Sequence, residues 1–263
     1  MLNIKFKIDK DMLSRIMISL NAMPTETANY LWLKYNSSYR LIQQSITSED
    51  IDQNIIKELQ QQSFFSETLL QAKENCKRVE KIWETKQLEI NNYLKDIIRI
   101  DFSLNMTAYI VSPSMHVGVY LGNNCFAWGH SNGLKDNNYD LVYLVHESLH
   151  SFFESDNVSH AIIENISDIE LSKILNNKKI GYKCHNFTKE EHIKIFPFWN
   201  LYLNKSKKEI KEEQDILNIQ YDIESVEHYR EKISKMNIKE FIEFVKSKIG
   251  SIKLNSFYQL IVD

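Results

Sequence analysis

The chain has 263 residues, of which 43% are hydrophobic and 25% charged, so it is long enough to bury a sizeable core. A formal net charge of -3, from 32 Lys+Arg against 35 Asp+Glu, gives no indication of a nucleic-acid partner. Cys76, Cys125 and Cys184 are too few and too widely spaced for a disulfide framework. No signal peptide or bilayer-length apolar run is seen, which excludes a membrane partner and favours a cytoplasmic location.

Few residues in the chain interrupt regular structure. Only 6 Gly and 3 Pro occur, which favours long helices and short loops over a glycine-rich all-β fold. Residues 1 to 8 alternate apolar and polar side chains and predict a short strand. From about Asp9 to Arg99 apolar residues recur at helical spacing, so residues 1–99 are predicted to form a mainly helical N-terminal region.

The composition changes at about residue 100, where β-branched and aromatic runs begin. The runs "MTAYIVSP", "HVGVYLG" and "CFAWGH" predict strands, and the turn signal "GNN" predicts a hairpin between the last two. We therefore expect a small antiparallel sheet, followed by a helix over "YDLVYLVHESLHSFFE" with Asn138 or Asp140 as its cap. A second helix, "SHAIIENISDIELSKIL", and a mostly helical C-terminal part follow, so the predicted fold class is α+β, mostly α.

The first of these two helices carries two histidines and a glutamate, His146, Glu147 and His150. Residues four apart share a helix face, so the two imidazoles can converge on one metal ion. Glu147 lies roughly 100° further round the helix and can reach a metal-bound water without ligating the metal. This H-E-x-x-H arrangement indicates two zinc ligands and a general base. The alternative is a buried helix whose histidines satisfy core hydrogen bonds.

A catalytic zinc usually has three protein ligands and one open position, and the next helix contains candidates for the third ligand. Glu164 and Asp168, in "ENISD", are four residues apart and share a face. Glu164 is predicted to ligate the metal. Asp168 is predicted to accept the free ring N–H of a ligating histidine and so fix its tautomer. Ordinary surface acids on an amphipathic helix are the alternative for this pair.

The combination of "HESLH" and "ENISD" resembles the gluzincin, or thermolysin-like, zinc metallopeptidases. The resemblance covers roughly residues 105 to 175. It implies that His146, His150 and Glu164 ligate one Zn²⁺, that Glu147 is the base, and that Asp168 orients a ligand histidine. It also implies that residues 100–263 form a metallopeptidase-like catalytic domain, whose small sheet packs on the H-E-x-x-H helix and the Glu-bearing helix.

Two further roles follow from the same resemblance. An edge strand preceding the H-E-x-x-H helix pairs with bound peptide, and the matching segment here is Asn123 to His130, with the substrate-binding residues Cys125, Phe126, Ala127 and Trp128. A downstream Tyr or His assists the oxyanion, and Tyr229 is chosen because it falls on an apolar stripe with Val226 and Ile233. The other candidates for this donor are Tyr182, His185, Tyr221 and His228. A core tyrosine is the alternative for Tyr229.

Other ligands and other functions stay open. Asp156 stands where metzincin-type motifs place a third ligand, but Phe153 replaces the glycine that those motifs need and continues the helix. His160 shares a face with Glu164 and is a further candidate, as is Cys125 in a deformylase-like site.

The predicted function is hydrolysis of peptide bonds in a peptide or unstructured protein, in one form by a dedicated intracellular processing protease. Residues 1–99 would then restrict access to the cleft or dock a partner. The alternatives are a deformylase-like zinc amidohydrolase and an inert zinc-binding or helical interaction protein. The sequence leaves the oligomeric state open.

Overall fold

The computed structural model describes residues 1–47, 52–217 and 224–249. They form many helices and one small sheet, which confirms the predicted α+β, mostly α class. None of the helices in these ranges is both long enough and apolar enough to cross a bilayer. The strands are β1 (Leu2–Lys7), β2 (Leu104–Ile110), β3 (Val117–Gly122) and β4 (Cys125–Gly129). The helices are α1 (Lys10–Ser19), α2 (Thr25–Gln44), α3 (Gln53–Gln60), α4 (Ser63–Ile98), α5 (Asn137–Leu149), α6 (Asn157–Glu164), α7 (Ser172–Asn176), α8 (Lys189–Tyr202), α9 (Lys207–Leu217), α10 (Glu224–Glu227), α11 (Arg230–Ile233) and α12 (Ile238–Lys248).

The chain divides into two compact units. The sheet unit consists of Leu2–Gln87 and Ser103–Ser151 and contains all four strands with α1, α2, α3 and α5. The helical unit consists of Met1, Leu88–Phe102 and the chain from Phe152 onward. The long helix α4 contributes its N-terminal part to the sheet unit and its C-terminal part to the helical unit.

The sheet is mixed, with strand order β1-β2-β4-β3. Strand β1 pairs in parallel with β2, and β2 pairs in parallel with β4, while only the β3–β4 hairpin is antiparallel. The predicted antiparallel sheet is therefore wrong outside this hairpin. The pairing of β1 with β2 brings Leu2 opposite Leu104 across the helices α1 to α4, and parallel strands need such a long crossover connection.

The core of the sheet unit lies between its helices and one face of the sheet. Apolar positions three and four apart bury one stripe of each helix, and each fully buried aliphatic side chain contributes about 1.5–3 kcal/mol. Val111, Val117 and Ala127 contribute the sheet side of this core. The helix side consists of Leu13, Ile16, Met17, Ile18, Leu31, Tyr39, Ile42, Ile55, Ile56, Leu59, Phe65 and Leu69.

Helix α5 is held against the sheet by a buried carboxylate. Asp140 accepts a hydrogen bond from the indole Nε1 of Trp128 in β4, at 2.8 Å, and pairs with Arg78 of α4 at 2.6 Å. Burial raises the pKa of Asp140, and the Arg78 guanidinium opposes this shift. Because Asp140 points inward, it does not cap the helix as predicted, and neither does Asn138. Asp136 is the N-cap and accepts the backbone N–H of Asn138.

In the helical unit, α6 continues into a π-helical segment, Asn165–Leu171, and then into α7. The backbone stays in the right-handed helical region at both junctions. Short π-helical segments are rare in proteins, and many of those that occur lie at functional sites. Glu164 is the last residue of α6, and Asp168 lies within the π-helical segment, so this irregularity begins directly after one predicted site residue and contains the other.

Candidate functional site

The sheet unit contains the two predicted zinc-binding histidines on one helix. His146 lies in the last turn of α5 and His150 is its C-cap, and their ring centroids are 5.1 Å apart. His146 is buried, whereas His150 is half-buried. The structure therefore confirms that the two imidazoles share a face. A centroid distance of 5.1 Å is compatible with two imidazoles that bind one ion.

Glu147 faces the strand β3. A Cβ atom placed on Gly118 of β3 would lie 3.0 Å from the Oε1 atom of Glu147 and 2.7 Å from the Trp128 ring. Gly118 itself is exposed, so the strand passes the carboxylate at a solvent-facing position. Two residues along, Tyr120 stacks on the ring of His150 at 6.0 Å. Strand β3 thus runs beside both the predicted base and a predicted ligand.

The strand order of the sheet changes the prediction of which strand could pair with a bound peptide. Strand β4 is an inner strand, paired with β2 on one side and with β3 on the other, so its main chain is not at an edge of the sheet. Phe126, Ala127 and Trp128 are buried, and Cys125 is half-buried. The prediction that β4 forms the edge is wrong because the hairpin places β3, not β4, on the outside.

An aromatic stripe continues the helix face that carries the two histidines. Tyr139, Tyr143, His146 and His150 follow one another at helical spacing, with centroid distances of 4.6, 5.7 and 5.1 Å. Trp128 stacks on Tyr143 with a centroid distance of 5.5 Å and an interplanar angle of 9°. Offset stacking of this kind contributes about 0.5–1.5 kcal/mol for each pair beyond its buried area. The stripe fixes the rotation of α5 about its axis and thereby the direction in which the histidines point.

Glu164, in the helical unit, is fully buried and surrounded by hydrogen-bond donors. Its Oε1 atom accepts the backbone N–H of His185 at 2.6 Å and lies 2.5 Å from the ring Nδ1 of the same residue. Its Oε2 atom accepts the Thr188 hydroxyl at 2.5 Å and lies 2.6 Å from His192 Nε2. Burial works to raise the pKa of Glu164, but the histidine and threonine contacts outweigh it and hold the pKa well below its usual value. Glu164 is therefore an ionised buried carboxylate, as a metal ligand must be.

Asp168 is also fully buried, one turn after Glu164. Its Oδ1 atom accepts the Ser167 hydroxyl at 2.7 Å, and its backbone carbonyl accepts the N–H of Tyr182 at 2.7 Å. Gly181 lies against the helix at this point, and a Cβ there would be 2.5 Å from Ile169 Cα. Because residues 181–185 lie close to the π-helical segment, His185 is placed next to Glu164.

Two groups of ligand atoms in the helical unit have spacings that suit a metal ion. Glu164, Asp168 and His185 form one group, and Glu164, Cys184 and His192 form the other, with all atoms of each group within 4.8 Å of one another. Burial, together with the nearby carboxylates of Asp168 and Glu164, raises the pKa of the Cys184 thiol well above its usual value. Both groups contain Glu164 and a histidine.

The rival ligands have other contacts. The Asp156 carboxylate caps α6, accepts the backbone N–H and the hydroxyl of Ser159 at 3.0 and 2.7 Å, and pairs with Lys246 at 3.0 Å. Helix α5 ends at Leu149, so the expectation that Phe153 continues it is wrong. His160 does flank Glu164, with its Nε2 atom 3.8 Å from Oε1. Cys125 Sγ lies 3.5 Å from the carbonyl of Asn123.

The candidates for an oxyanion donor are spread over the helical unit. Tyr229 caps α11 and packs on the rings of Phe198 and Phe244, at 6.1 and 5.2 Å. His228 is exposed beside it, and the hydroxyl of Tyr182 accepts a hydrogen bond from Asn176. Tyr221 lies outside the described residues. The role predicted for Tyr229 stays a prediction.

Three residues of the site were not identified from the sequence: Thr188, His192 and Gly118. Thr188 and His192 contact Glu164 from a segment more than twenty residues further along the chain. Thr188 lies at the end of a short 3-10 turn and His192 lies in the first turn of α8. No helical period in the sequence connects either residue with Glu164. The only signal was a cluster of two histidines and a threonine in "CHNFTKEEHI".

No protein-family model matches this sequence. Comparisons with curated proteins and with solved structures likewise find no match. The function is therefore argued from the residues and geometry of the chain itself.

Proposed function

We propose that this protein is a zinc metallopeptidase in which His146, His150 and Glu164 bind one zinc ion and Glu147 is the general base. The observation that carries the proposal is the geometry of the sheet unit. There, two imidazoles on one face of α5 stand 5.1 Å apart, and the carboxylate beside them points to an exposed glycine on an edge strand. That is the layout required for two ligands, a base and a main-chain substrate.

The donor set fits zinc. Neutral imidazole and carboxylate are normal zinc ligands, and three protein ligands are the usual number at a catalytic site. Glu164 is preferred to Asp156 as the third ligand because two possible metal-binding groups in the described residues include Glu164, whereas none of the groups found there includes Asp156. Asp168 lies one turn after Glu164, and we keep its proposed role of orienting a ligand histidine. Carboxylates that accept a hydrogen bond from a metal-bound histidine commonly have this role.

The chemistry is divided between the ion and Glu147. Bound zinc would lower the pKa of a water toward about 7 and polarise the substrate carbonyl. Glu147 would take the proton from that water as it attacks and pass it to the leaving amine. The placement of this carboxylate beside Gly118 allows it to stand between a peptide on β3 and the helix face that carries the histidines.

The proposed substrate is an extended peptide segment. Within the part of the chain that the structure describes, strand β3 pairs with β4 on one side, and its outer edge can add a further strand through main-chain hydrogen bonds. Such recognition makes few demands on side chains. This edge supports a peptide substrate over the small amides that a deformylase-like enzyme would take.

Peptide cleavage by the zinc-loaded protein tests the proposal. We expect the wild-type chain to cleave members of a quenched fluorescent peptide library, with loss of activity on chelation and recovery on return of zinc. The Glu147→Gln variant removes the base but keeps the size of the side chain. It should retain zinc and lose about 10²–10⁴-fold in rate, the usual contribution of general-base catalysis.

Glu154→Gln is the matched control, since Glu154 is an exposed glutamate that pairs with Lys246. It should behave as the wild type. Equal cleavage by wild-type protein and Glu147→Gln would overturn the assigned mechanism. Zinc binding without any cleavage across the library would favour an inert zinc-binding protein.

A further inference from the structure

The two oxygens of Glu164 have different surroundings. Both donors to Oε2 are side chains, and both are buried: Thr188 is fully buried and His192 is 8% exposed. Around Oε1 the fixed donor is a backbone N–H, that of His185. The ring of His185, whose side chain is 45% exposed, also lies on Oε1, and His160 Nε2 is further away at 3.8 Å. One oxygen is thus enclosed permanently, and the other faces a ring that can leave.

The enclosed oxygen has its hydrogen-bonding capacity filled. A carboxylate oxygen offers two lone pairs, and the Thr188 hydroxyl and His192 Nε2 approach Oε2 at 2.5 and 2.6 Å. Neither side chain can leave without burying an unsatisfied polar group, which is unfavourable. Oε2 is therefore not available to a metal ion.

The second oxygen keeps one lone pair that can be released. The backbone N–H of His185 uses one pair of Oε1 at 2.6 Å. The half-exposed ring of His185 lies on the other pair and also contacts the rings of His160 and Phe187. Its rotation away from Oε1 would leave the backbone N–H of the same residue in place. An ion would take the place of this ring. The backbone bond would remain and hold the carboxylate plane in position.

We propose that Thr188 and His192 are positioning residues that hold Glu164 as a one-oxygen zinc ligand, with Oε1 as the ligating atom. The inference rests on the proposed function, because it takes Glu164 as the third ligand. It assigns His192 a role outside the ligand set, although its Nε2 atom also belongs to a group of possible ligands with Glu164 and Cys184.

The local fold explains how this arrangement is kept. Thr188 precedes α8 and His192 lies in its first turn, so both donors are on one rigid segment. The N–H of Tyr182 bonds to the carbonyl of Asp168, which ties the preceding loop to the helix that carries Glu164. Ligand carboxylates held by such outer contacts commonly lose 10–100-fold in metal affinity when a contact is removed.

Two pairs of variants test the inference by zinc affinity, measured by competition with a chromophoric chelator. Thr188→Val has the shape of threonine without its hydroxyl, and Thr188→Ser keeps the hydroxyl. His192→Phe removes the ring N–H, whereas His192→Gln supplies an amide donor to the same oxygen. We expect about 10–100-fold weaker zinc binding for Thr188→Val and His192→Phe, and rescue to within a few-fold of wild type by Thr188→Ser and His192→Gln. Circular dichroism of the metal-free forms verifies folding, and if His192→Phe fails to fold, the threonine pair decides alone.

The outcomes separate this inference from the proposed function. Loss of affinity in Glu164→Ala but unchanged affinity in folded Thr188→Val would overturn the positioning role and leave the peptidase proposal intact. Unchanged affinity in Glu164→Ala would overturn the third ligand itself, and with it both proposals. If His192→Gln loses as much affinity as Glu164→Ala, and Cys184→Ser does too, His192 is a ligand and not a positioning residue.

Discussion

Gly118 is a residue of β3 that lies close to Glu147. Alanine at this position would bring a Cβ to 2.7 Å from the Trp128 ring and 3.0 Å from Glu147 Oε1, so one of these side chains must move. Displacement of a catalytic group by about 1 Å can cost about 10²-fold in rate. We predict that Gly118→Ala lowers kcat/KM for a peptide substrate by about that factor and leaves zinc content unchanged.

Gly122 provides the matched control, in the same strand. Its φ of +84° lies in the left-handed region, and a Cβ there would have no atom within 4 Å. Gly122→Asn, which tolerates positive φ, should therefore keep wild-type activity. Wild-type activity in Gly118→Ala would show that the close approach of β3 has no bearing on catalysis.

At the scale of residues, the sequence predicted those site residues that lie within one helical turn of each other along the chain. His146, Glu147 and His150 are connected by one helical period, and the structure places the two histidines as that period requires. Glu164 and Asp168 are also close together, although the helix becomes π-helical directly after Glu164. Thr188 and His192 were not predicted because a tertiary contact brings them to Glu164. Asp140 was misassigned because a capping residue and a buried ion-pair residue look alike in a sequence.

At the scale of elements, the cap of α6 distinguishes the two rival third ligands. Asp156→Asn keeps a good capping side chain, and Asp156→Ala does not. We predict that the alanine variant loses about 1 kcal/mol of stability in the helical unit, measured by chemical denaturation, and that the asparagine variant loses less. Both variants should bind zinc as the wild type does. Loss of zinc in both would instead make Asp156 the ligand.

The pH dependence of this cap has a defined sign. Burial works to raise the pKa of Asp156, but hydrogen bonds from Ser159 and the neighbouring Lys246 hold the pKa below its usual 3.8. A lowered pKa means that the carboxylate contributes stability above about pH 3.8 and loses that contribution as pH falls through the folded pKa. The difference in stability between wild type and Asp156→Ala should therefore shrink in acid, which denaturation at a series of pH values would measure.

The loop that reaches Glu164 depends on a glycine. A Cβ on Gly181 would lie 2.5 Å from Ile169 Cα and 2.7 Å from the carbonyl of Asp168, both backbone atoms that cannot easily yield. We predict that Gly181→Ala costs about 1–3 kcal/mol and weakens zinc binding by moving His185 and Thr188 away from the carboxylate. Denaturation and chelator competition would measure the two effects. An unchanged zinc affinity would show that this loop does not position the ligand.

Strand pairing shows where prediction from the sequence stopped. The β3–β4 hairpin was predicted because its turn residues are adjacent in the chain. The pairings of β1 with β2 and of β2 with β4 join strands that are separated by other elements, and alternation of apolar residues does not specify a partner or a direction. For the same reason the sequence could not show that β3, rather than β4, lies at the edge.

For the whole molecule, a bound zinc ion should contribute stability by mass action. A ligand that binds only the folded state stabilises it by about 2.7 kcal/mol when present at 100 times its Kd. We predict that zinc raises the Tm of the wild-type protein and that a chelator reverses this effect. The double variant His146→Ala/His150→Ala should show no response to either addition. A response equal to that of the wild type would place the ion elsewhere in the molecule.

The fold class was predictable because it follows from two features of the whole sequence. Gly and Pro are few, and apolar residues recur at helical spacing over most of the chain. The division into a sheet unit and a helical unit was not. Each unit combines segments that are distant in sequence, and α4 contributes to both. Apolar periodicity defines elements, but it does not define which elements share a core.

Zinc content tests the central claim most directly. Elemental analysis of the purified protein should find about one zinc per wild-type chain, clearly less in Glu164→Ala, and almost none in His146→Ala/His150→Ala. Zinc at the wild-type level in Glu164→Ala would contradict the third ligand and direct attention to Asp156 or Cys125. No zinc in the wild-type protein, even after reconstitution with the metal, would contradict the peptidase proposal.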